Sequence, residues 1–247
     1  PLDEAAGGRG LFGIGPGDRS TLRNLGVDRD RPLRRILETF RVAERLWDGE
    51  RVDHDGTFVA DDAGLNYEVG SIPVYVGAQG PHMVRMAAKH ADGAFFNGAH
   101  PDDLAWAAER AAEGASERPD DAGEFDLLAY ALTSVAESAD AAREAARLPL
   151  AFVAAGAPEP VLERHGLDVA RAERVGEHIS AGRFHEAADA VSQSMLEAFC
   201  IAGTPADVRE RVDALADYAD GVVFASPLGP NVETAIELLG TEFGENA

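Results

Sequence analysis

Two glycine-rich loops contain the residue types in this chain that are best suited to bind a ligand. Residues 13–18 read Gly-Ile-Gly-Pro-Gly-Asp and residues 77–81 read Gly-Ala-Gln-Gly-Pro, and each segment follows a short apolar run. Glycine lets a backbone approach a ligand closely, and the N–H groups of such a loop can surround an anion such as phosphate. Both loops are therefore candidate ligand sites.

The two loops differ in how specific their patterns are. In the first, Asp18 stands where a dinucleotide-binding G-x-G-x-x-G fingerprint has its third glycine, and the pattern predicts no helix directly after it. The sequence is equally consistent with a tight turn and with a ligand-binding loop at these residues. In the second, Pro81 marks the first turn of a predicted helix, whose free N–H groups and partial positive charge favour an anion site.

A third candidate segment is Asn97 with the glycine that follows it, at the end of the next predicted strand. In parallel α/β folds, ligands bind beyond the carboxyl ends of the strands. We therefore expect the loops around Gly15, Gly77 and Asn97 to line one cleft.

Other kinds of chemistry are excluded by motifs that the chain lacks. The seven histidines show no zinc-ligand spacing, so no metal site is predicted, and neither a phosphate-binding P-loop nor a nucleophile elbow occurs. The acidic pairs Asp61-Asp62 and Asp102-Asp103 are expected on the solvated surface, as most acids are.

The elements that position these loops alternate between strand and helix. Apolar runs predict strands at residues 10–15, 72–77, 93–97, 125–135 and 221–225, with helices between them. Residues 138–199 read as a block of short helices divided by proline and glycine. This order predicts an α/β fold with parallel strands, and periodicity does not choose between an open sheet and a closed barrel.

Composition and charge limit the partners. The 247 residues carry 22 Lys and Arg against 44 Asp and Glu, a net charge of −22, which disfavours nucleic acid and anionic membrane surfaces. No apolar run is long enough for a membrane span, and one cysteine cannot form an internal disulfide, so a cytoplasmic protein is expected.

Lys89 is the one lysine. The acidic, lysine-poor surface favours a halophilic protein over an acidic mesophile with a GC-rich genome.

Six strings in order resemble the coenzyme F(420)-dependent methylenetetrahydromethanopterin reductases of the bacterial luciferase-like family: GIGPGD, IPVYVGAQGP, ADGAFFNGAHPDD, AFVAAGAPEPVLERHGL, MLEAFCIAGTP and ASPLGP. The resemblance covers the whole chain. It implies a (β/α)8 TIM barrel, here partial, with about the last five βα units. It also implies one domain over residues 1–247 with a helical insertion at about 138–200, and catalytic groups in an N-terminal part that precedes Pro1.

The resemblance also implies a site and a reaction. The loop from Gly15 to Ser20 would lie along the deazaflavin, while Gln79 and Gly80 would contact the cofactor phosphate. Hydride transfer from reduced coenzyme F(420) to methylenetetrahydromethanopterin would give the methyl compound. With the anion site expected above, the candidate cofactor-binding residues are Gly15, Pro16, Gly17, Ser20, Gly77, Ala78, Gln79, Gly80 and Asn97.

Three alternatives stay open from the sequence. The pterin substrate could be methylenetetrahydrofolate in a halophile that makes no methane. The chain could instead be a luciferase-like monooxygenase that binds FMN, or a non-catalytic remnant that binds cofactor. The resemblance further implies a homo-oligomer, a dimer or tetramer.

Overall fold

The computed structural model describes residues 2–67 and 69–244, which form two compact units. The first unit contains Pro1–Phe96 and Glu109–Leu127, and the second contains Asn97–Ala108 and Leu128–Ala247. Parallel strands followed by helices occur in both units, so the predicted α/β fold class is confirmed.

The first unit is built on three parallel strands in the order β1 (Phe12–Ile14), β4 (Val74–Gly77) and β5 (Gly93–Phe96). Val74 and Val76 of the middle strand are fully buried, as the apolar run predicts. Asp92 fixes the start of this strand, because its Oδ2 accepts a hydrogen bond from the N–H of Val74 at 2.7 Å. The elements of the unit are α1 (Leu2–Ala5), β1 (Phe12–Ile14), α2 (Arg19–Asn24), α3 (Pro32–Trp47), β2 (Val52–Asp55), β3 (Val59–Ala63), β4 (Val74–Gly77), α4 (Pro81–His90) and β5 (Gly93–Phe96).

An antiparallel hairpin, β2 with β3, joins α3 to β4 and was not predicted. Glu38 of α3 holds the hairpin, since its carboxylate accepts hydrogen bonds from the N–H and the hydroxyl of Thr57 at 2.6 and 2.7 Å. These bonds, with a further one from Arg34, lower the pKa of Glu38 to about 2. The hairpin is therefore anchored to an ionised carboxylate at neutral pH.

The next helix, α5 (Pro101–Ala115), begins in the second unit and ends in the first. Its last turn packs closely on α4, because a β-carbon on Gly114 would collide with the carbonyl oxygen of Arg85. Arg118 closes this side of the first unit by donating to the carbonyl oxygens of Ala88 and Ala91 at 3.0 and 2.6 Å.

The second unit has its own parallel strands, with β6 (Asp126–Val135) paired to both β7 (Ile201–Gly203) and β8 (Gly221–Leu228). β7 is an addition to the five predicted strands. It has only three residues and lies directly before the capping box of Thr204 and Asp207 that starts α11, so its apolar run is too short to register as a strand. The remaining strands and helices are β6 (Asp126–Val135), β7 (Ile201–Gly203), α11 (Pro205–Leu215), β8 (Gly221–Leu228) and α12 (Val232–Phe243).

Residues 138–199 are helical, as predicted, and enclose a core of their own. Leu150 and Met195 are fully buried in it, together with the alanine face of the longest helix. No helix among the described residues is long and apolar enough to cross a membrane. The helices are α6 (Ala139–Gly156), α7 (Glu159–Arg164), α8 (Val169–Ser180), α9 (Phe184–Ala190) and α10 (Gln193–Phe199).

Candidate functional site

The two glycine-rich loops lie side by side in the first unit. The parallel register pairs Ile14 with Val76, so the residues that follow, Gly15 and Gly77, are neighbours. A β-carbon on Gly77 would lie 3.6 Å from the Cα of Gly15, and one on Gly15 would lie 3.9 Å from the Cα of Gly77. The two backbones are thus exposed to a ligand without side chains between them, as a flat ring or a phosphate chain requires.

The loop after β1 turns sharply into α2. Gly17 has φ +74°, and a β-carbon there would lie 3.1 Å from Leu22 Cδ1, so only glycine fits without strain. Asp18 caps α2, because its Oδ1 accepts a hydrogen bond from the N–H of Thr21 at 2.7 Å. The expectation that no helix follows Asp18 directly is therefore wrong. α2 has six residues and little apolar periodicity, so the pattern did not reveal it.

Ser20, the last predicted residue of this loop, lies in the first turn of α2, and its side chain falls outside the described part of the chain.

The loop after β4 leads into the N-terminus of α4. Ala78 is buried and its N–H donates to the carbonyl oxygen of Phe95 at 3.0 Å, while Gln79 and Gly80 are exposed. Gly80 is the N-cap and offers no side-chain cap, and Pro81 occupies the first helical position. The first turn of α4 therefore presents its positive dipole end without a capping side chain, although Pro81 has no N–H and the N–H of Met83 donates to the carbonyl oxygen of Gly80 at 3.0 Å. This arrangement suits a phosphate, and the residues present fit a phosphate-bearing cofactor.

Asn97 follows β5 directly and is exposed, with buried Gly98 and Ala99 behind it. It belongs to the second unit, whereas Gly15 and Gly77 belong to the first. The structure thus brings together the loops at residues 15–17 and 77–80, and the role of Asn97 stays a prediction.

A buried polar cluster in the second unit was missed by sequence reasoning. Asp103, in the first turn of α5, has a side chain only 6% exposed. Its carboxylate is hydrogen-bonded by Arg164, and His165 Nε2 lies 2.9 Å from its Oδ2. Asp102 is exposed as expected, but the surface location expected for Asp103 is wrong. The partners are more than 60 residues apart in sequence, which no local pattern reveals.

Electrostatics keep Asp103 ionised. Burial by itself would raise its pKa, but the hydrogen bonds from His165 and Arg164 hold the pKa of the carboxyl below its ordinary value. Arg164 also stacks over the ring of Trp106 at 4.9 Å. The cluster fixes the start of α5 to the end of α7.

His100 packs edge-on against His165, with ring centroids 4.8 Å apart. Burial lowers the pKa of His100, and the charges of His165 and Arg211 lower it further. Ligand atoms of His100, Asp102 and His165 lie within 4.8 Å of one another, a spacing that could hold a cation. The nearby guanidinium groups of Arg164 and Arg211 oppose a positive ion, and the absence of a metal site stays a prediction.

Comparison with known proteins identifies relatives that agree with one another. The sequence profile of the luciferase-like monooxygenase family matches residues 1–220. The chain is 39% identical over 247 residues to a 5,10-methylenetetrahydromethanopterin reductase of Archaeoglobus fulgidus, covering 98% of this chain and 74% of the relative. It is 36% identical over 260 residues to the reductase of the same name from Methanopyrus kandleri.

The solved structures agree with the sequence relatives. A coenzyme F(420)-dependent tetrahydromethanopterin reductase from Methanopyrus kandleri matches with a TM-score of 0.87 at 36% identity, covering 96% of this chain and 74% of that one. An F(420)-dependent secondary alcohol dehydrogenase matches with a TM-score of 0.75 at 18% identity, which shows a shared fold alone. The partial luciferase-type (β/α)8 fold predicted from the sequence is confirmed.

Proposed function

The chain belongs to the 5,10-methylenetetrahydromethanopterin reductases of the luciferase-like family, and from this membership we propose that it catalyses their reaction. Hydride passes between reduced coenzyme F(420) and 5,10-methylenetetrahydromethanopterin, giving 5-methyltetrahydromethanopterin. The observation that carries this proposal is 39% identity across 98% of the chain, with a TM-score of 0.87 to an F(420)-dependent reductase.

The coenzyme fits the backbone of the first unit. When bound, coenzyme F(420) supplies the hydride, so the protein has to bind and orient two ring systems rather than provide a nucleophile. The close pair Gly15 and Gly77 leaves room for a flat ring, and the uncapped N-terminus of α4 after Gly80 binds phosphate. Pro16, Gly17, Ser20, Ala78, Gln79 and Asn97 complete the proposed cofactor-binding set.

The experiment is an anaerobic assay of the complete gene product with reduced coenzyme F(420). We expect methylenetetrahydromethanopterin to cause oxidation of the coenzyme, seen as the return of deazaflavin absorbance. Oxidation with methylenetetrahydrofolate alone would assign the folate substrate instead. Binding of the coenzyme without oxidation by either pterin would refute pterin reduction.

The monooxygenase alternative is tested with FMN in the same series. Tighter binding of FMN than of coenzyme F(420), with flavin oxidation that depends on oxygen, would favour it. Monooxygenases among the solved structures are only 16–19% identical to the chain, and such likeness supports the fold and no particular cofactor.

We also propose that residues 1–247 act as one domain with a helical insertion at about 138–200. The family profile supports this, because its match to residues 1–220 runs through both compact units. Limited proteolysis tests the proposal, since a single domain gives no stable fragment cut between the units.

Assembly as a homodimer or homotetramer is part of the proposal. Leu148, Phe152 and Phe184 form an exposed apolar patch on α6 and α9, and the rings of the two phenylalanines are 6.0 Å apart. Exposed apolar patches often mark interaction surfaces. We further propose a halophilic, cytoplasmic protein, on the strength of its acid excess and its single, buried, free cysteine.

A further inference from the structure

A cleft of about 290 Å³ opens beside the proposed cofactor loop and is lined by two arginines. Gly15 and Pro16 form one wall of this cleft. Another wall contains Arg29, from the segment before α3, and Arg35, from the start of α3. A cleft of this size is at the small end of ligand pockets, about 300 Å³. It accommodates one small acidic group of a larger ligand rather than a second ring system.

The side chain of Arg29 is half-buried beside this cleft. Its Nε is buried, and among the described residues this N–H has no hydrogen-bond acceptor. A buried donor without an acceptor is costly, so native proteins rarely leave one unless a ligand or water supplies the acceptor. The orphaned N–H therefore indicates that an acceptor comes from outside the chain.

The charges around the cleft favour an anion as that acceptor. Within the described residues neither Arg29 nor Arg35 forms an ion pair, although the chain has twice as many acids as bases. Two acids, Asp28 and Asp30, also line the cleft, but both are exposed and Asp30 is paired with Arg31 at 2.9 Å. A planar guanidinium binds carboxylate and phosphate oxygens with paired hydrogen bonds.

We propose that Arg29 and Arg35 form a subsite for an oxyanion, a carboxylate or phosphate, carried on the arm of the ligand whose ring lies at Gly15. This inference rests on the proposed function for the identity of that ligand. Two sources carry such a group: the glutamate-bearing tail of the deazaflavin coenzyme and the acidic end of the methanopterin substrate.

The test compares Arg29→Gln and Arg35→Gln with the control Arg23→Gln, an exposed arginine of α2 that does not line the cleft and changes the net charge equally. Coenzyme binding is followed by fluorescence at fixed ionic strength. We expect R29Q to weaken coenzyme binding about tenfold, since hydrogen bonds between charged groups are the strong ones. R23Q should match the wild type, and Arg29→Lys should recover only part of the loss, because it keeps the charge without the planar fork.

A deazaflavin ligand without the glutamate-bearing tail distinguishes the two sources of the oxyanion. If the coenzyme tail occupies the subsite, R29Q and the wild type bind the deazaflavin 5′-phosphate equally well. If the pterin occupies it, R29Q leaves the affinity for intact coenzyme unchanged and raises the KM for methylenetetrahydromethanopterin. Unchanged affinity and unchanged KM in both glutamine variants would overturn the subsite.

Glutarate gives a readout that does not depend on the proposed function. The dicarboxylate should raise the unfolding temperature of the wild type and of R23Q more than that of R29Q. A wild type that binds no coenzyme but keeps this difference would refute the proposed function and leave the oxyanion subsite standing. Equal protection of all variants by glutarate would count against the subsite itself.

Discussion

Asp103 is a buried carboxylate whose removal should lower the free energy of unfolding. Its side chain is 6% exposed and is hydrogen-bonded by His165 and Arg164. Asp103→Asn keeps the shape of the side chain but leaves Arg164 without its counter-charge, and removing one partner of a buried pair costs about 3 kcal/mol. We expect that loss in the free energy of unfolding, measured by urea titration.

Asp102 is the matched control for this variant. It is the neighbouring residue, and its side chain is 64% exposed. Asp102→Asn should change the free energy of unfolding by less than about 0.5 kcal/mol, because exposed ion pairs contribute little. Equal stability of the two variants would show that the buried cluster does not hold α5 to α7.

His100 makes the stability of the chain depend on pH near neutrality. Its pKa in the folded protein is lowered from 6.5, so the unfolded chain binds more protons than the folded chain just below that pH. The free energy of unfolding should therefore fall as the pH drops below about 6.5. Urea midpoints are measured between about pH 5 and 7.5, the range in which histidine titrates. Their pH dependence should be weaker in His100→Gln than in the wild type.

His185, an exposed histidine of α9, provides the comparison. His185→Gln should keep the pH dependence of the wild type. A pH profile that His100→Gln leaves unchanged would argue against burial of a neutral imidazole at this position.

At the scale of elements, the contact between α4 and α5 depends on one glycine. Gly114 is buried, and a β-carbon there would meet the carbonyl oxygen of Arg85, which belongs to the backbone and cannot rotate away. Gly114→Ala should lower the free energy of unfolding by about 2 kcal/mol, since overpacking forces backbone shifts.

Gly156 offers the same substitution without the clash, since an added β-carbon at this last residue of α6 meets nothing within 4 Å. Gly156→Ala should leave stability equal or slightly raised, because alanine is the better helix former. Equal effects at the two positions would contradict the close approach of α4 and α5.

Sequence patterns predicted the elements that bury a regular apolar face. The helices α3 and α5 lie between predicted strands, as expected, because proline starts each one and apolar residues follow at helical spacing. None of the predicted strands lies in residues 52–67. The hairpin β2–β3 that lies there is held by hydrogen bonds to Glu38 and has few buried residues, so its alternation carries no apolar signal.

The candidate site could be predicted only in part. Loop composition indicated Gly15 and Gly77, and the parallel register then placed them side by side. The Asp103 cluster depends on contacts made by distant segments, and the orphaned Nε of Arg29 depends on how its side chain is buried, so neither has a local signature.

At the scale of the whole molecule, a net charge of −22 implies self-repulsion that salt relieves. We expect added KCl to raise the unfolding temperature, with most of the gain reached by about 1 M, where the Debye length has shrunk to about 3 Å. A steady rise beyond that concentration would indicate salting-out instead. An unfolding temperature that salt lowers or leaves constant would contradict a halophilic protein.

The proposed assembly makes a separate prediction. If the patch around Phe152 and Phe184 is an interface, replacing both with serine should shift the chain to a smaller species in size-exclusion chromatography with light scattering. Serine at Tyr218, an exposed aromatic after α11, should not change the mass. An unchanged mass in the double variant would place the interface elsewhere.

If the adjoining glycines at the ends of β1 and β4 hold coenzyme F(420), a side chain added at one of them should weaken coenzyme binding. Titration of the wild type and Gly77→Ala with the coenzyme measures this effect. The added β-carbon makes only ordinary contacts, so the variant should fold as stably as the wild type. We expect coenzyme affinity about tenfold lower in the variant, a difference of about 1.4 kcal/mol, and weaker binding of FMN than of coenzyme in the wild type. Equal coenzyme affinity in the two proteins would contradict this role of the glycines.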